Sequence, residues 1–317
     1  MRRTLLFLTI AASIIACRTA MRSTIQGPPS PAQLAELWVD PEADRDLFWG
    51  LGGSRLAPDP KVAYPVIAVK HGGFSRGLTL QDPQGHEWSA KFPPEAATEV
   101  VASRLVWGLG FHQPPIYYLA EWNATGAPEK NPQLPARFRE KKPDFHDLTY
   151  KGLWSYYANP FVGTRELNGL LVFQVMLGNS DLKEEQNAIY ELKAPVEGAA
   201  TWYAAVDLGE SFGRTGKWNP PRGDVQVFEQ TPFIKGVDAQ GHVRFDYRGL
   251  HGDLVDHMTP EDVRWTCERL QRLTDRQWSD AFRAGGYAQP LADRFIRRFK
   301  QKIQEGLALS HAGAPGR

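Results

Sequence analysis

The chain has 317 residues, 42% of them apolar and 23% charged, which allows one large domain or two small lobes with a substantial core. Its 37 basic and 36 acidic residues nearly cancel. This balance argues against a nucleic-acid-binding protein, because neutralising a phosphate backbone requires a surplus of basic charge.

The first residues have the features of an export signal. Two arginines at positions 2 and 3 precede an apolar segment, residues 5–15, that is too short to span a bilayer as a mature helix. The segment ends at Ala16-Cys17, and this ending resembles the lipobox of bacterial lipoproteins, in which the cysteine becomes the lipidated first residue. We therefore expect a signal peptide over residues 1–17 and lipid attachment at Cys17. An ordinary signal peptide that happens to contain a cysteine is the alternative.

Lipidation would anchor the protein at the cell envelope, on the periplasmic or outer-membrane face in a Gram-negative host. Residues 18–60, which begin with a proline-containing polar stretch, are predicted to be a tether and an N-terminal extension. The other cysteine, Cys267, lies in a helical pattern and is expected to be a small buried side chain.

From Tyr64 the pattern predicts a small β-rich region. Strands are expected at residues 66–69, 78–80, 88–92 and 116–119, with a helix over about residues 95–109. Residues 121–160 are rich in proline and lysine and are expected to be irregular.

The second half is predicted to be mostly helical. Thr164 is expected to cap a helix that ends near Leu177 and is apolar on nearly every face, so that it should be buried. Two strands follow, at residues 188–192 and 202–206. Further helices are expected to begin at Thr259-Pro260, at Thr274 or Asp275, and at Pro290.

A glycine-rich loop between two predicted strands is the first candidate for chemistry. Gly73, Ser75 and Gly77 lie in it, and such loops let backbone N–H groups approach phosphate oxygens closely. A plain glycine-rich hairpin loop is the alternative. The same residues fit the Gly-x-Ser-x-Gly pattern of serine hydrolases, but that pattern needs a helix after the serine, and here a strand is predicted.

Lys91 ends a predicted strand, and Glu99 lies on the helix that follows. If the helix packs against the sheet, the two can pair, and the ammonium can then hold nucleotide phosphates. A surface lysine on an edge strand is the alternative interpretation.

Two further segments carry acids at strand or helix ends. In the first, Asp181 is predicted to orient or deprotonate an acceptor hydroxyl, Lys183 to neutralise the moving phosphoryl group, and Asn187 to bind a metal ion. In the second, Asp207 follows a strand and is predicted to bind Mg²⁺. Asp207 follows Asp181 by 26 positions, which suffices for one hairpin that would place both acids at the same cleft.

The order of glycine loop, strand lysine, helix glutamate, Asp181-Leu182-Lys183 and Asp207-Leu208-Gly209 resembles the protein-kinase signature set. The stretch from residue 90 to residue 110 is more similar to the HipA-type, phosphoinositide and secretory-pathway kinases. In kinases the metal-binding asparagine follows the catalytic aspartate by five residues; here that position is Gln186, so either Gln186 or Asn187 can be the ligand.

The resemblance implies an α+β, bilobal kinase-like fold: a small antiparallel β lobe with one helix over residues 61–122, a mostly helical lobe over residues 123–306, and a tail over residues 307–317. It further implies ATP and Mg²⁺ binding and phosphoryl transfer to an unknown protein or small-molecule acceptor. A pseudokinase-like binding module without catalysis is the alternative.

Two other clusters contain residue types that are found in binding sites. His251, Asp253 and His257 do not have the spacing of a known metal site and are expected to make local hydrogen bonds. The aromatic residues Trp107, Trp154, Trp202 and Tyr203 could form a binding platform, but residues of this kind are more often part of a core.

Overall fold

The structure is a computed structural model that describes residues 27–126, 134–142 and 145–309. The predicted signal peptide and its Cys17 lie outside the described residues. In the part of the chain that is described, no helix combines the length and the apolar composition needed to cross a bilayer.

The first lobe is a six-stranded sheet with one long helix, preceded by the short helix α1 (Pro31–Leu34). Its strands are β1 (Ala63–Lys70), β2 (Gly77–Gln81), β3 (Glu87–Lys91), β4 (Tyr117–Leu119), β5 (Asn123–Thr125) and β6 (Ala136–Glu140), in the order β4-β6-β3-β2-β1-β5. All pairs are antiparallel except β1 with β5. Trp88, Trp122 and Phe138 pack on one face of this sheet and form the core of the lobe.

The helix α2 (Glu95–Gly108) packs against this sheet and is buried along nearly its whole length. It therefore has no solvated face, and its charged side chains, including Glu99, must find partners inside the protein.

The stretch expected to be irregular, residues 121–160, is instead partly β structure. It contains β5, β6 and β7 (Thr149–Gly152), and β6 lies between β4 and β3 inside the first sheet. The first lobe thus extends past the predicted boundary after Trp122. The prediction was wrong here because prolines and lysines flank a short strand whose apolar residues, Ala136 and Phe138, alternate with arginines.

The second lobe is mostly helical around a small sheet. Strand β8 (Asn187–Val196) pairs with both β7 and β9 (Ala199–Ala205), and β10 (Ile234–Val237) pairs with β11 (Val243–Phe245). The helices are α3 (Arg165–Leu177), α4 (Val225–Gln230), α5 (Pro260–Gln271), α6 (Asp275–Ala284) and α7 (Gln289–Leu307). The predicted α+β fold, with a small sheet lobe carrying one long helix and a mostly helical second lobe, is confirmed.

Helix α3 is the centre of the second lobe. The hydroxyl of Thr164 accepts the N–H of Leu167, and Gly178 ends the helix in the left-handed conformation with φ +74°. Its apolar side chains are buried on most faces, as expected. Cys267 on α5 is fully buried in the same core.

The N-terminal extension packs across both lobes. The imidazole of His112, after α2, donates to the carbonyl of Ala35, and the N–H of Tyr203 on β9 donates to Glu36. The amide of Gln277 on α6 donates to the carbonyl of Ala43. Residues 35–45 are therefore part of the folded unit.

His112 is expected to make stability depend on pH. It is buried against the ring of Trp202, and burial lowers its pKa to about 4. An unfolded histidine has a pKa of about 6.5. As the pH falls below this value, His112 binds a proton in the unfolded chain but stays neutral in the native state. The native state should thereby lose about 2 kcal/mol between about pH 7 and about pH 5.

Urea unfolding at both pH values measures this loss. In the variant His112→Gln, which keeps a donor for the Ala35 carbonyl, the corresponding part of the pH dependence should disappear. An unchanged pH dependence in the variant would contradict the assignment to His112.

Candidate active site

A cleft of about 440 Å³ lies between the two lobes. The glycine-rich loop and strands β1, β2, β3 and β6 line it from the first lobe. From the second lobe it is lined by the segments that contain Asp181, Asp207 and Arg222. Chemistry-bearing residues separated by more than 100 positions in the sequence therefore meet in one place.

Lys91 is the centre of the cleft's ion-pair network. Its ammonium lies 2.8 Å from a carboxylate oxygen of Glu99 and 3.4 Å from one of Glu95, and it also pairs with Asp207. Burial alone would lower the pKa of Lys91, but the carboxylates of Glu99 and Asp207 outweigh burial and raise it. Lys91 is thus a fixed cation, and the pair that the sequence predicts with Glu99 is present.

Glu99 joins two buried cations. Its other oxygen lies 3.1 Å from Nε of Arg137 on β6, and only 2% of the residue is exposed. Burial alone would raise the pKa of Glu99, yet Arg137 and Lys91 hold it at about 2. The carboxylate therefore stays ionised at any pH near neutrality and fixes Lys91 relative to the sheet.

Asp207 comes shortly after β9 and has a left-handed backbone conformation, with φ +56°. This conformation is uncommon for residues other than glycine, although aspartate and asparagine adopt it more readily than most. It turns the carboxylate across the cleft to Lys91, while two-fifths of the side chain remains exposed. The geometry leaves an oxygen of Asp207 accessible to a ligand.

Asp181 lies on the second-lobe side of the same cleft. One oxygen is 2.8 Å from the ammonium of Lys183, and the other accepts a hydrogen bond of 2.7 Å from the amide of Gln186. The hydrogen bond to Asp181 raises the pKa of Lys183. The three side chains form a unit with a base, a cation and an amide.

Asn187, the predicted metal ligand, does not line the cleft. It is fully buried, and its amide donates to the carbonyl of Trp154. Asn187 begins β8, whereas Gln186 is the last residue of the single 3₁₀ turn before it, and only one of the two lines the cleft. Gln186 is the one that does.

The glycine-rich loop covers the cleft. Gly73, Ser75 and Gly77 all line it, and Ser75 is buried with a hydroxyl that has no hydrogen-bond partner among the described residues. The ring of Phe74, at the loop's tip, stacks on the guanidinium of Arg222 at 3.8 Å. This contact joins the loop to the second lobe.

Several cleft residues were missed from the sequence. Glu95 pairs with both Lys91 and Arg222, and Glu210 lies 3.4 Å from Arg222. Glu95 precedes Glu99 by four residues and so shares its helix face, a signal that was available. Arg222 lies in a loop between prolines and a glycine, where no periodic pattern points to the cleft.

Three basic residues of the first lobe also line the cleft and were missed: Lys70, Arg137 and Arg139. The arginines alternate with Ala136 and Phe138, and this period of two could have indicated a strand with one basic face.

The rival sites do not form. Ser75 is followed by strand β2 instead of a helix, so the hydrolase turn is absent. His251 and Asp253 both hydrogen-bond the hydroxyl of Tyr157, and the described residues hold no group of three or more metal-ligating His, Cys, Asp or Glu side chains. Of the aromatic residues that could form a binding platform, Trp107, Trp154 and Trp202 are core residues.

The two lobes, the paired lysine and glutamate of the sheet lobe and the two aspartates across the cleft together define a kinase-like arrangement. Two solved structures are similar to this chain. One is the Helicobacter pylori proinflammatory kinase CtkA, with 12% identity and a TM-score of 0.47 over 78% of this chain and 98% of that chain. The other is the Golgi casein kinase, with 13% identity and a TM-score of 0.41 over 80% and 74%.

No protein-family model and no curated protein matches the sequence. Because both TM-scores lie below 0.5, the proposals for this chain rest on its own cleft residues.

Proposed function

We propose that the protein transfers a phosphoryl group from a magnesium-bound phosphoanhydride, ATP in the first instance, to an acceptor hydroxyl. One observation carries this proposal. Lys91, held by Glu99, faces Asp207 in a cleft that also contains Asp181, Lys183 and Gln186. A fixed cation, two carboxylates that line the cleft and a glycine-rich loop are the groups that phosphoryl transfer requires, since catalysis there is mainly positioning and charge stabilisation.

Each residue has a distinct part in the proposed reaction. Lys91 and the N–H groups of the loop bind phosphate oxygens, and Asp181 accepts the proton of the acceptor hydroxyl. The acceptor oxygen forms a bond to phosphorus as the bond to the bridging oxygen breaks, and the leaving diphosphate keeps that bonding pair. Lys183, 2.8 Å from Asp181, lies where it can neutralise charge on the moving group.

The donor set fits a magnesium ion. Gln186 has a buried amide oxygen with no hydrogen-bond partner among the described residues, and Asp207 offers an exposed carboxylate oxygen. Mg²⁺ typically binds one or two protein oxygens together with phosphates and water. A bound Mg²⁺ would supply charge compensation for the phosphates, and Gln186 and Asp207 would hold it.

The test is transfer of labelled phosphate by the wild type and by Asp181→Asn. Loss of the base should lower the rate by roughly 10²–10⁴-fold. Glu184→Gln is the matched control, because Glu184 is exposed in the same loop and does not line the cleft. Equal rates in wild type and Asp181→Asn would reject the role of Asp181. Nucleotide binding without any Asp181-dependent transfer would favour the pseudokinase-like alternative.

We also propose that the protein acts at the cell envelope as a lipoprotein, on the basis of the lipobox-like Ala16-Cys17. Cys17→Ala should move the protein from the membrane fraction to the soluble fraction, because a lipid chain contributes about 0.8 kcal/mol of membrane affinity per buried methylene. Cys267→Ala is the control, since Cys267 is buried in the core. Membrane association that persists in Cys17→Ala would contradict lipid anchoring at this residue.

A further inference from the structure

The basic residues of the cleft fall into two groups with different partners. Lys91 contacts three carboxylates. The ammonium of Lys70, in contrast, donates only to the neutral hydroxyl of Ser89, at 2.7 Å. The guanidinium of Arg139 has no side-chain hydrogen bond or ion pair with any described residue. Two cations without a contacting carboxylate therefore line the same cleft.

The pairing of the strands brings this second group together. Ser89 precedes Lys91 by two residues on β3, so it lies on the same face, about 6.6 Å further along the strand. Arg139 is the direct partner of Ser89 on β6. Lys70 reaches Ser89 from β1 by crossing Gly77, where an added Cβ would lie 3.4 Å from the Lys70 side chain. A patch of Lys70, Ser89 and Arg139 therefore adjoins Lys91.

The charge of this patch favours an anion. Burial and the nearby guanidinium groups of Arg137 and Arg139 lower the pKa of Lys70 to about 8, so positive charge is crowded at Lys70. Burial alone would lower the pKa of Arg139, but Tyr190, Glu99 and Asp207 outweigh burial and raise it, so Arg139 keeps its charge. An anionic ligand would relieve that repulsion and would receive hydrogen bonds from both cations.

The cleft also lacks apolar walls for a nucleobase. Among its described lining residues, only Phe74 and Ala90 have apolar side chains, and Phe74 is already stacked on Arg222. Ligand sites that hold flat rings are usually lined by apolar or aromatic groups, and stacking contributes about 1–3 kcal/mol per base. The described lining residues of the cleft can therefore give a nucleobase little stacking stabilisation.

We propose that Lys70, Ser89 and Arg139 form an anion subsite, and that the preferred phosphoryl donor is a phosphoanhydride chain that runs past Lys91 into it, as inorganic polyphosphate would. The inference rests on the proposed phosphotransfer and specifies its donor. The terminal phosphorus forms a bond to the acceptor oxygen as its bond to the chain breaks. Asp181 takes the acceptor's proton, and the shortened chain leaves with the bridging oxygen and its electron pair.

Calorimetric binding to the full-length protein with Mg²⁺ tests the subsite. The probes are ATP, inorganic tripolyphosphate, a longer linear polyphosphate, and ATP that carries an additional ribose phosphate. The longer inorganic chain is expected to bind at least about tenfold more tightly than ATP, since it adds charged hydrogen bonds at Arg139 and Lys70.

Arg139→Ala should weaken binding of the longer chain by roughly tenfold or more and change ATP binding by less than about threefold. Arg139→Lys keeps the charge and should retain most of the affinity. Arg276→Ala, which removes a largely exposed arginine on α6, is the matched control. Thermal melting of each variant confirms that it is folded.

Two results would overturn the inference: ATP binding as tightly as the longer chain, or Arg139→Ala behaving like the control. The ATP with an additional ribose phosphate could instead bind more tightly than the inorganic chain and lose that affinity in Arg139→Ala. That result would support the anion subsite but overturn the inorganic chain as its ligand. The proposed phosphotransfer can fail separately from the subsite. It fails if no donor gives an Asp181-dependent transfer of labelled phosphate to an acceptor while binding still depends on Arg139.

Discussion

Asp207→Asn is expected to reduce phosphoryl transfer by about 10²–10³-fold while leaving the protein folded. The substitution removes the charge that faces Lys91 and that would bind the metal ion, but it keeps the size of the side chain. Asparagine also tolerates the left-handed backbone at this position, where φ is +56°. Transfer of labelled phosphate measures the rate, and a melting curve reports whether the fold is retained.

Asp147→Asn provides a closely matched control for this variant. Asp147 also has a left-handed backbone, with φ +52°, but it lies outside the cleft and pairs with Lys193 at the surface. Transfer by this control should equal that of the wild type. If Asp207→Asn is as active as Asp147→Asn, the acid at position 207 has no part in the reaction.

Glu99→Gln should have the largest effect on stability, about 3–5 kcal/mol of destabilisation. The substitution leaves Lys91 and Arg137 as buried cations without their shared carboxylate, 2.8 and 3.1 Å away in the wild type. Chemical denaturation at neutral pH measures the loss. Glu229→Gln breaks a surface pair with Arg294 and should change stability by no more than about 1 kcal/mol.

The same variant should respond differently to acid. The pKa of Glu99 is about 2 in the native state, below its ordinary value of 4.5, so its contribution is present above pH 4.5 and is lost as the pH falls toward 2. Over that interval the wild type should lose about 3 kcal/mol that Glu99→Gln does not lose. If the stability of the two proteins falls equally between pH 4.5 and pH 2, Glu99 is not the buried carboxylate described.

The cleft residues found from the sequence share a property. Lys91, Glu99 and Asp207 each occupy an end or a face of an element that hydrophobic periodicity makes visible, so their order along the chain could be read. The same periodicity predicts the two lobes, because short strand-like segments come first in the sequence and long helical segments come after them.

Residues that were missed are placed by long-range pairing. Strand β6 enters the sheet between β4 and β3, and only that insertion sets Arg137 opposite Lys91 and Arg139 opposite Ser89. Nothing local to five residues determines where in a sheet they pair. The choice between Gln186 and Asn187 likewise depends on where a short 3₁₀ turn ends and β8 begins, and the pairing of Asn187 with Ala205 on β9 sets that point.

The packing of residues 35–45 limits where the protein can be shortened. A version that starts at residue 61, where the sheet lobe was predicted to begin, would lack two hydrogen-bond acceptors. These are the carbonyl of Ala35, which accepts from His112, and that of Ala43, which accepts from Gln277. It would also open the face of Trp265 that Trp38 covers. Any shortened version of the protein should therefore begin no later than Ser30, whose hydroxyl caps α1.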